Sequence, residues 1–229
     1  MVIGIDIGST TTKVAAINLN SDIIKIKTKA IDAITSATGA FGKMITIGTG
    51  GKYLSKKDQI IISNIGTGTA IIEVNGNIIT HLGGTGVGGG TITGLAKELL
   101  KTSDFDTIMQ YASKGNINNV DLNIGDIAET NIGFLNKEFT ASNFGKMLDT
   151  ATKEDIAIGI INLTYQVIGM VSVFAAKSKN NDTVVITGNG SNNPIGQRIL
   201  NNISQTYKID FEFPVDAEYA TAIGAALSI

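Results

Sequence analysis

The chain has 229 residues and a mass of 23.9 kDa, with 43% hydrophobic and 17% charged residues. That balance excludes a disordered polymer and is enough for two small lobes, each with its own core. A net charge of −2 and a pI near 5.4 give no basic field, so nucleic acid and anionic membrane surfaces are not expected partners. Cysteine is absent, which rules out disulfides, thiolate metal sites and a cysteine nucleophile and makes the reducing cytoplasm the expected compartment.

The opening MVIGIDIG reads as a strand, because it lacks the basic and long apolar regions of a secretory leader. It runs into Gly8-Ser9-Thr10-Thr11-Thr12-Lys13, after which Val14 to Ile17 and Ile23 to Thr28 complete a predicted meander. Residues 31–41 are small and apolar enough for a short helix, and Met44 to Ile47 for another strand. Ile60 to Ile65 is an apolar strand that enters Gly66-Thr67-Gly68-Thr69, and Ala70 to Val74 and Ile78 to Leu82 flank the turn Asn75-Gly76-Asn77. The order strand, Gly/Ser/Thr turn, strand, turn, strand thus occurs twice, which predicts two homologous lobes facing each other.

After Gly88-Gly89-Gly90 the period becomes helical, with Ile92, Leu95, Leu99 and Leu100 on one face. A second helix is predicted from Asp104, capped by Ser103-Asp104. Residues 115–140 read as loop, and 141–150 and 153–177 as helices. The uncharged run from Ile156 to Ala176 is about long enough to cross a membrane. Asn162, Thr164, Gln166, Gly159 and Gly169 interrupt it and no aromatic belt flanks it, so a buried globular helix is expected. Val184 to Ile186 then forms a strand running into Thr187-Gly188-Asn189-Gly190. The remaining elements are a helix over Pro194 to Asn202, a strand over Ile209 to Phe213 and a closing small-residue helix over Ala217 to Leu227.

Three of these turns have the composition of phosphate loops: Asp6 to Thr11, Gly66 to Thr69, and Thr187 to Ser191. Glycine lets the backbone approach an anion, while successive N–H groups and hydroxyls donate to its oxygens. Arg198 is the only arginine against seventeen lysines, so a phosphate here depends on backbone, hydroxyls, lysine or a metal ion. Asp6 emerges at a strand end beside the first loop, where a carboxylate commonly holds a hydrated Mg²⁺.

The strings GIDIGSTTTK, NIGTGTA, HLGGTGVGGGTITGL, NVDLNIGDI, TASNFGK and AEYATAIGAAL together resemble the type II pantothenate kinases, the fumble-like branch of the actin-like ATPase superfamily. The resemblance implies an α/β actin-like (ribonuclease H-like) fold of two similar lobes around a cleft. One lobe would span residues 1–58 with the closing helix 217–229 packed back on it, and the other 59–216. It also implies a homodimer that uses Mg²⁺ and ATP to phosphorylate pantothenate at its terminal hydroxyl, the first step of coenzyme A synthesis.

On this resemblance Asp6, which would also hold the metal, Gly8, Ser9, Thr10 and Lys13 form the first phosphate loop, and Gly66, Thr67, Gly68 and Thr69 the second. Gly88, Gly89, Gly90 and Thr91 line the nucleotide at a helix N-terminus that suits an anion, and Gly188, Asn189 and Gly190 form the adenosine-side loop. Pantothenate meets His81, Thr67 and Gly84; His81, the lone histidine, falls where some members have a substrate-facing arginine.

The family's catalytic glutamate has no counterpart, since an ungapped alignment sets Lys43 in its place and no glutamate precedes Glu73. A charged lysine cannot accept a proton, which leaves Asp6, Asp32 or Asp58 for that role. Lys43 is then either a catalytic cation beside the transferred phosphate or a surface residue on a strand end. An active pantothenate kinase, a degenerate homologue that binds ligand as a regulator, and a partner-coupled ATPase remain the three readings. Activators of the last kind usually carry cluster-binding cysteines, which this chain lacks.

Overall fold

A computed structural model describes residues 2–7, 11–17, 23–29, 37–131 and 133–228. Gly8, Ser9 and Thr10 of the first loop, and Asp32, lie outside the described residues. Strands β1 (Val2–Ile7), β2 (Thr11–Ile17) and β3 (Ile23–Lys29) form an antiparallel sheet in the order β1-β2-β3. The pleat sends Gly4 and Asp6 of β1 and Lys13, Ala15 and Ile17 of β2 to a buried face. Ile3, Ile5 and Ile7 point the other way and are 50%, 54% and 43% exposed.

The second sheet has five strands in the order β10-β9-β4-β5-β6. Its meander consists of β4 (Gln59–Ile65), β5 (Thr69–Asn75) and β6 (Ile78–Thr85), with Gly76 at φ 62° in the tight turn between the last two. Strand β9 (Thr183–Thr187) adds parallel to β4, and β10 (Asp210–Glu212) parallel to β9. Unlike β1, β4 is buried on both faces, as its unbroken run of isoleucines requires.

One face of this sheet packs on α5 (Lys153–Ser178), with α2 (Gly89–Leu99), α3 (Phe105–Ala112) and α6 (Pro194–Tyr207) beside it. Asp104 caps α3 by accepting from Thr107 N at 2.9 Å. Helix α5 is apolar and long enough to cross a membrane, yet most of it is buried inside the protein. Its polar residues are satisfied there. Ser172 donates to Ile168 O at 2.7 Å, and its oxygen lies 2.6 Å from Ser63 Oγ on β4, which must therefore be the donor of that pair.

The opposite face receives Ile47 and Met44 of α1 (Ala37–Ser55). The predicted strand over Met44 to Ile47 is thus the middle of a long helix, and the short helix predicted over 31–41 is described only from Ala37 onward. The sequence TIGTGGK has weak helix propensity, but tertiary packing overrides it. Helix α1 lies against α7 (Ala220–Leu227) at a separation only glycine permits: a Cβ on Gly50 would stand 1.8 Å from Ala220 O, and one on Gly224 1.8 Å from Thr46 O. Ala222, Ile223 and Ala226 of α7 in turn pack on Ala15 and Ile17 of β2.

The predicted helix over 141–150 is absent, and the loop over 115–140 has only short elements: one 3₁₀ turn, β7 (Leu122–Asn123), which pairs with β8 (Thr140–Ser142), and the single-turn α4 (Ile124–Ile127). The segment after β8 is held by non-local bonds instead. Buried Asp121 accepts from Phe144 N at 2.8 Å, Asn143 Nδ2 at 3.1 Å and Asn162 Nδ2 at 2.7 Å, while Lys146 N and Met147 N donate to Val120 O.

Two outcomes are expected. Gly50→Ala forces α1 off α7 and lowers the unfolding free energy in urea by about 1–3 kcal/mol. Asp155, at the start of α5, accepts from Asn116 N, Asn119 Nδ2 and Thr152 N. Burial acts to raise its pKa, but these bonds outweigh it and bring the carboxyl down to about 2. Its stabilising contribution is therefore complete above roughly pH 4 and is lost as pH falls from there towards 2. Urea midpoints across that window should drop more steeply in the parent than in Asp155→Asn; equal slopes would show that Asp155 does not drive the loss.

Candidate functional site

The two sheets enclose a cleft of about 520 Å³. Asp6, Thr11 and Lys13 come from the first sheet, Lys43, Met44 and Ile47 from α1, Asn64 from β4, and Gly66 to Ala70 from the second glycine turn. His81 and Gly83 to Gly86 of β6 and its following turn, Gly188 with Asn189, and Thr221 of α7 close it. The β5–β6 register steps between Ile71↔Gly83 and Ile72↔His81, so Leu82 is the extra residue of a bulge beside His81.

Asp6 is the only carboxylate among the described lining residues. It is 9% exposed and pairs with Lys43, whose Nζ lies 3.2 Å from Asp6 Oδ1 and whose side chain is 36% exposed. Lys13 is buried and stands opposite Asp6 in the β1–β2 register. Lys43 is therefore a cleft residue on a helix and not a surface residue on a strand end.

A second, more apolar chamber of about 420 Å³ adjoins the first. Thr11, Gly66, Thr67 and Asn189 line both, and Gly89, Gly90, Gly190, Ile92, Thr93, Phe105 and Tyr165 complete its wall. Asn189 spans the gap between the sheets, donating from Nδ2 to Thr11 Oγ1 at 3.0 Å. Its carbonyl oxygen Oδ1 is buried with no partner among the described residues. Gly188 holds φ 83°, and a Cβ there would stand 2.5 Å from Ile65 O, so glycine is required where this loop crosses β4. Tyr165 donates to Gly190 O at 2.7 Å, and burial pushes its phenol above the ordinary value, keeping it a neutral donor.

The structure thus brings together Asp6, Lys13, Lys43, Gly66 to Thr69, His81, Gly84, Gly89, Gly90 and Gly188 to Gly190. Gly88 and Thr91 line neither chamber. Thr91 Oγ1 accepts from Gly88 N at 3.2 Å, a bond within the helix start. Gly89 N and Gly90 N donate to Gly66 O and Thr67 O at 2.8 and 2.9 Å. The N-terminus of α2 therefore braces the second turn and does not present those two amides to an anion. Thr11, read in the sequence as the end of the first phosphate loop, lines both chambers, whereas Asn64, Phe105, Tyr165 and Thr221 were not singled out as site residues.

A sequence profile of the Fumble family matches residues 52–228. A type II pantothenate kinase of Bacillus anthracis is 32% identical over 270 residues, covering 98% of this chain and 96% of the relative. The chain belongs to the Fumble family of type II pantothenate kinases. Another kinase of that name, from Oceanobacillus iheyensis, is 36% identical over 180 residues, covering 77% of this chain and 67% of its own length.

Among solved structures, a ROK family protein from Streptococcus pneumoniae in complex with sucrose has a TM-score of 0.63 at 12% identity, covering 99% of this chain and 97% of that one. The activator of 2-hydroxyisocaproyl-CoA dehydratase from Clostridium difficile, with bound ADPNP, has a TM-score of 0.62 at 14% identity, covering 99% and 92%. These two likenesses concern the fold, which is the actin-like one of two lobes around a cleft. The Fumble match begins after Asp6, Lys13 and Lys43, so the cleft lining drawn from β1, β2 and α1 lies outside it.

Proposed function

We propose that this Fumble-family protein transfers the terminal phosphoryl group of ATP to the terminal hydroxyl of pantothenate. The observation that carries the reading is the convergence, in a chain of this family, of Asp6 and Lys13, the second glycine turn and Gly188 with Asn189 on one cleft. In this reading the lobes are residues 1–58 with 217–229, and 59–216. The apolar chamber walled by Ile92, Phe105 and Tyr165 takes the nucleobase, and the buried Asn189 oxygen accepts from a hydroxyl of the nucleotide.

Thr67, Gly68 and Thr69 face the phosphates together with Lys13; Gly8, Ser9 and Thr10, assigned to the first loop by the family resemblance, lie outside the described residues. His81 and Gly84 bound the acceptor's side of the cleft. The described residues contain no cluster of three ligating side chains, but one buried carboxylate fits Mg²⁺, which keeps most of its waters and takes the rest of its shell from phosphate oxygens. Asp6 would hold that ion through its water shell, and the ion would supply charge neutralisation at the transferred phosphoryl. Lys13 and Lys43 supply fixed positive charge in a chain with a single arginine. The expected setting is the cytoplasm.

A coupled assay of ADP release with and without pantothenate tests the activity. Release that depends on pantothenate is expected. Release without it, or nucleotide binding with no release, overturns the reading. Asp6→Asn should lower kcat by roughly 10²-fold with a much smaller change in ATP affinity, and an unchanged kcat would remove Asp6 from the mechanism.

We further infer a homodimer through α5, supported by Phe174 on that helix, which is 61% exposed although most of the helix is covered by its own chain. Light scattering at micromolar concentration should give twice 23.9 kDa; the mass of a single chain would refute the dimer and leave the fold untouched.

A further inference from the structure

The contact between Asp6 and Lys43 puts two needs of the site in conflict. Asp6 is the only carboxylate among the described residues of the cleft, and of those residues it is the one fitted to a divalent cation entering there. Lys43 already occupies that carboxylate, with Nζ 3.2 Å from Oδ1. Its backbone is anchored, because Lys43 O accepts from Thr46 Oγ1 at 2.9 Å and Ile47, one turn on, is buried in the core under the second sheet. The half-exposed side chain is a long flexible stem on that fixed base. Like charges cannot share one carboxylate at close range without loss.

We propose that Lys43 is a resident counter-ion that competes with the divalent cation for Asp6. In the absence of nucleotide the ammonium holds the carboxylate and free metal binds poorly. Phosphate oxygens arriving with the nucleotide offer Lys43 a second anionic partner and draw it off Asp6, which then faces the metal's water shell. Lys43 thereby couples metal binding to nucleotide binding and acts as a positioning residue for the metal. The inference rests on the reading of the cleft as a Mg-nucleotide site. It departs from the alternative of a catalytic cation because it concerns Asp6 before any phosphoryl transfer.

The test is direct binding of Mn²⁺ to the full chain, followed by the loss of the free-ion paramagnetic resonance signal, without nucleotide and with saturating ADP. Lys43→Met should bind Mn²⁺ at least tenfold more tightly than the parent without nucleotide, and ADP should improve metal binding less in the variant than in the parent. Lys43→Arg keeps the charge and should behave as the parent. Adding Asp6→Asn to Lys43→Met should abolish the gain.

Equal Mn²⁺ affinity in Lys43→Met and the parent overturns the proposal, as does a gain that persists without the Asp6 carboxylate. Circular dichroism establishes that each variant is folded, and Lys43→Gln replaces Lys43→Met if the latter is not. Failure of the parent to bind Mn²⁺ even with ADP would count against the kinase reading, whereas the arm without nucleotide judges the ion pair by itself.

Discussion

The close approach of α1 and α7 governs this molecule. Each helix serves a different sheet: α7 lays Ala222, Ile223 and Ala226 on β2, while α1 lays Ile47 and Met44 under β4, β5 and β9. Apart from the Asn189–Thr11 hydrogen bond across the gap, the sheets are held together chiefly through these two helices. Gly50 against Ala220 O and Gly224 against Thr46 O let the backbones meet with no side chain between them. That contact sets the spacing of the sheets, and so the width of the cleft between Asp6 on one side and the second glycine turn on the other. It also fixes the rotation of α1, which aims Lys43 at Asp6.

The lobes are alike in their meanders and unequal in the elements added after them. Beyond β6 the chain supplies α5, β9, α6 and β10 before reaching α7, so the second sheet gains two parallel strands and a helix over its outer face. Beyond β3 it passes to α1, which leads into β4. Among the described residues the first sheet therefore has no parallel strand beside β1 and nothing over Ile3, Ile5 and Ile7. The B. anthracis relative aligns over 270 residues against the 229 of this chain, so it carries stretches with no counterpart here. An exposed apolar face beside an unpaired strand edge is the kind of surface that soluble proteins usually cover. The cleft keeps its shape because α7, borrowed from the far end of the chain, covers the other face, where Asp6 and Lys13 lie.

The sequence made the repeated meander legible, because strand-period isoleucines ending in Gly/Thr turns have few other solutions. The second glycine turn and Asn189 reach the cleft because they follow the ends of strands, and His81 because it sits beside the bulge within β6. Helix α1 was illegible. Its glycines read as a break until α7, some 170 residues further on, supplies the backbone they pack against. The stretch after β8 failed in the opposite sense, since its side chains are compatible with a helix while its amides go to Asp121 and Val120. Tyr165 was hidden by its neighbours, for a tyrosine in an apolar helix reads as core until Gly190 O is seen to accept its hydrogen bond.

In the proposed kinase reading, Lys43 alters the family site without removing its logic. An acceptor carboxylate at this position would add negative charge beside Asp6 and the phosphates, to be offset by metal and lysine. A lysine reverses that balance: among the described lining residues one carboxylate faces Lys13 and Lys43, and the cleft favours anions more strongly. In a loose phosphoryl-transfer transition state the acceptor hydroxyl gives up its proton late, so positioning and charge stabilisation outweigh proton abstraction. Under the proposed kinase reading, the exchange removes a smaller contribution and strengthens a larger one. Under that same reading its penalty would fall on a bound divalent cation, because the Lys43 ammonium proposed to meet the phosphates is paired with Asp6, the carboxylate proposed to hold the ion.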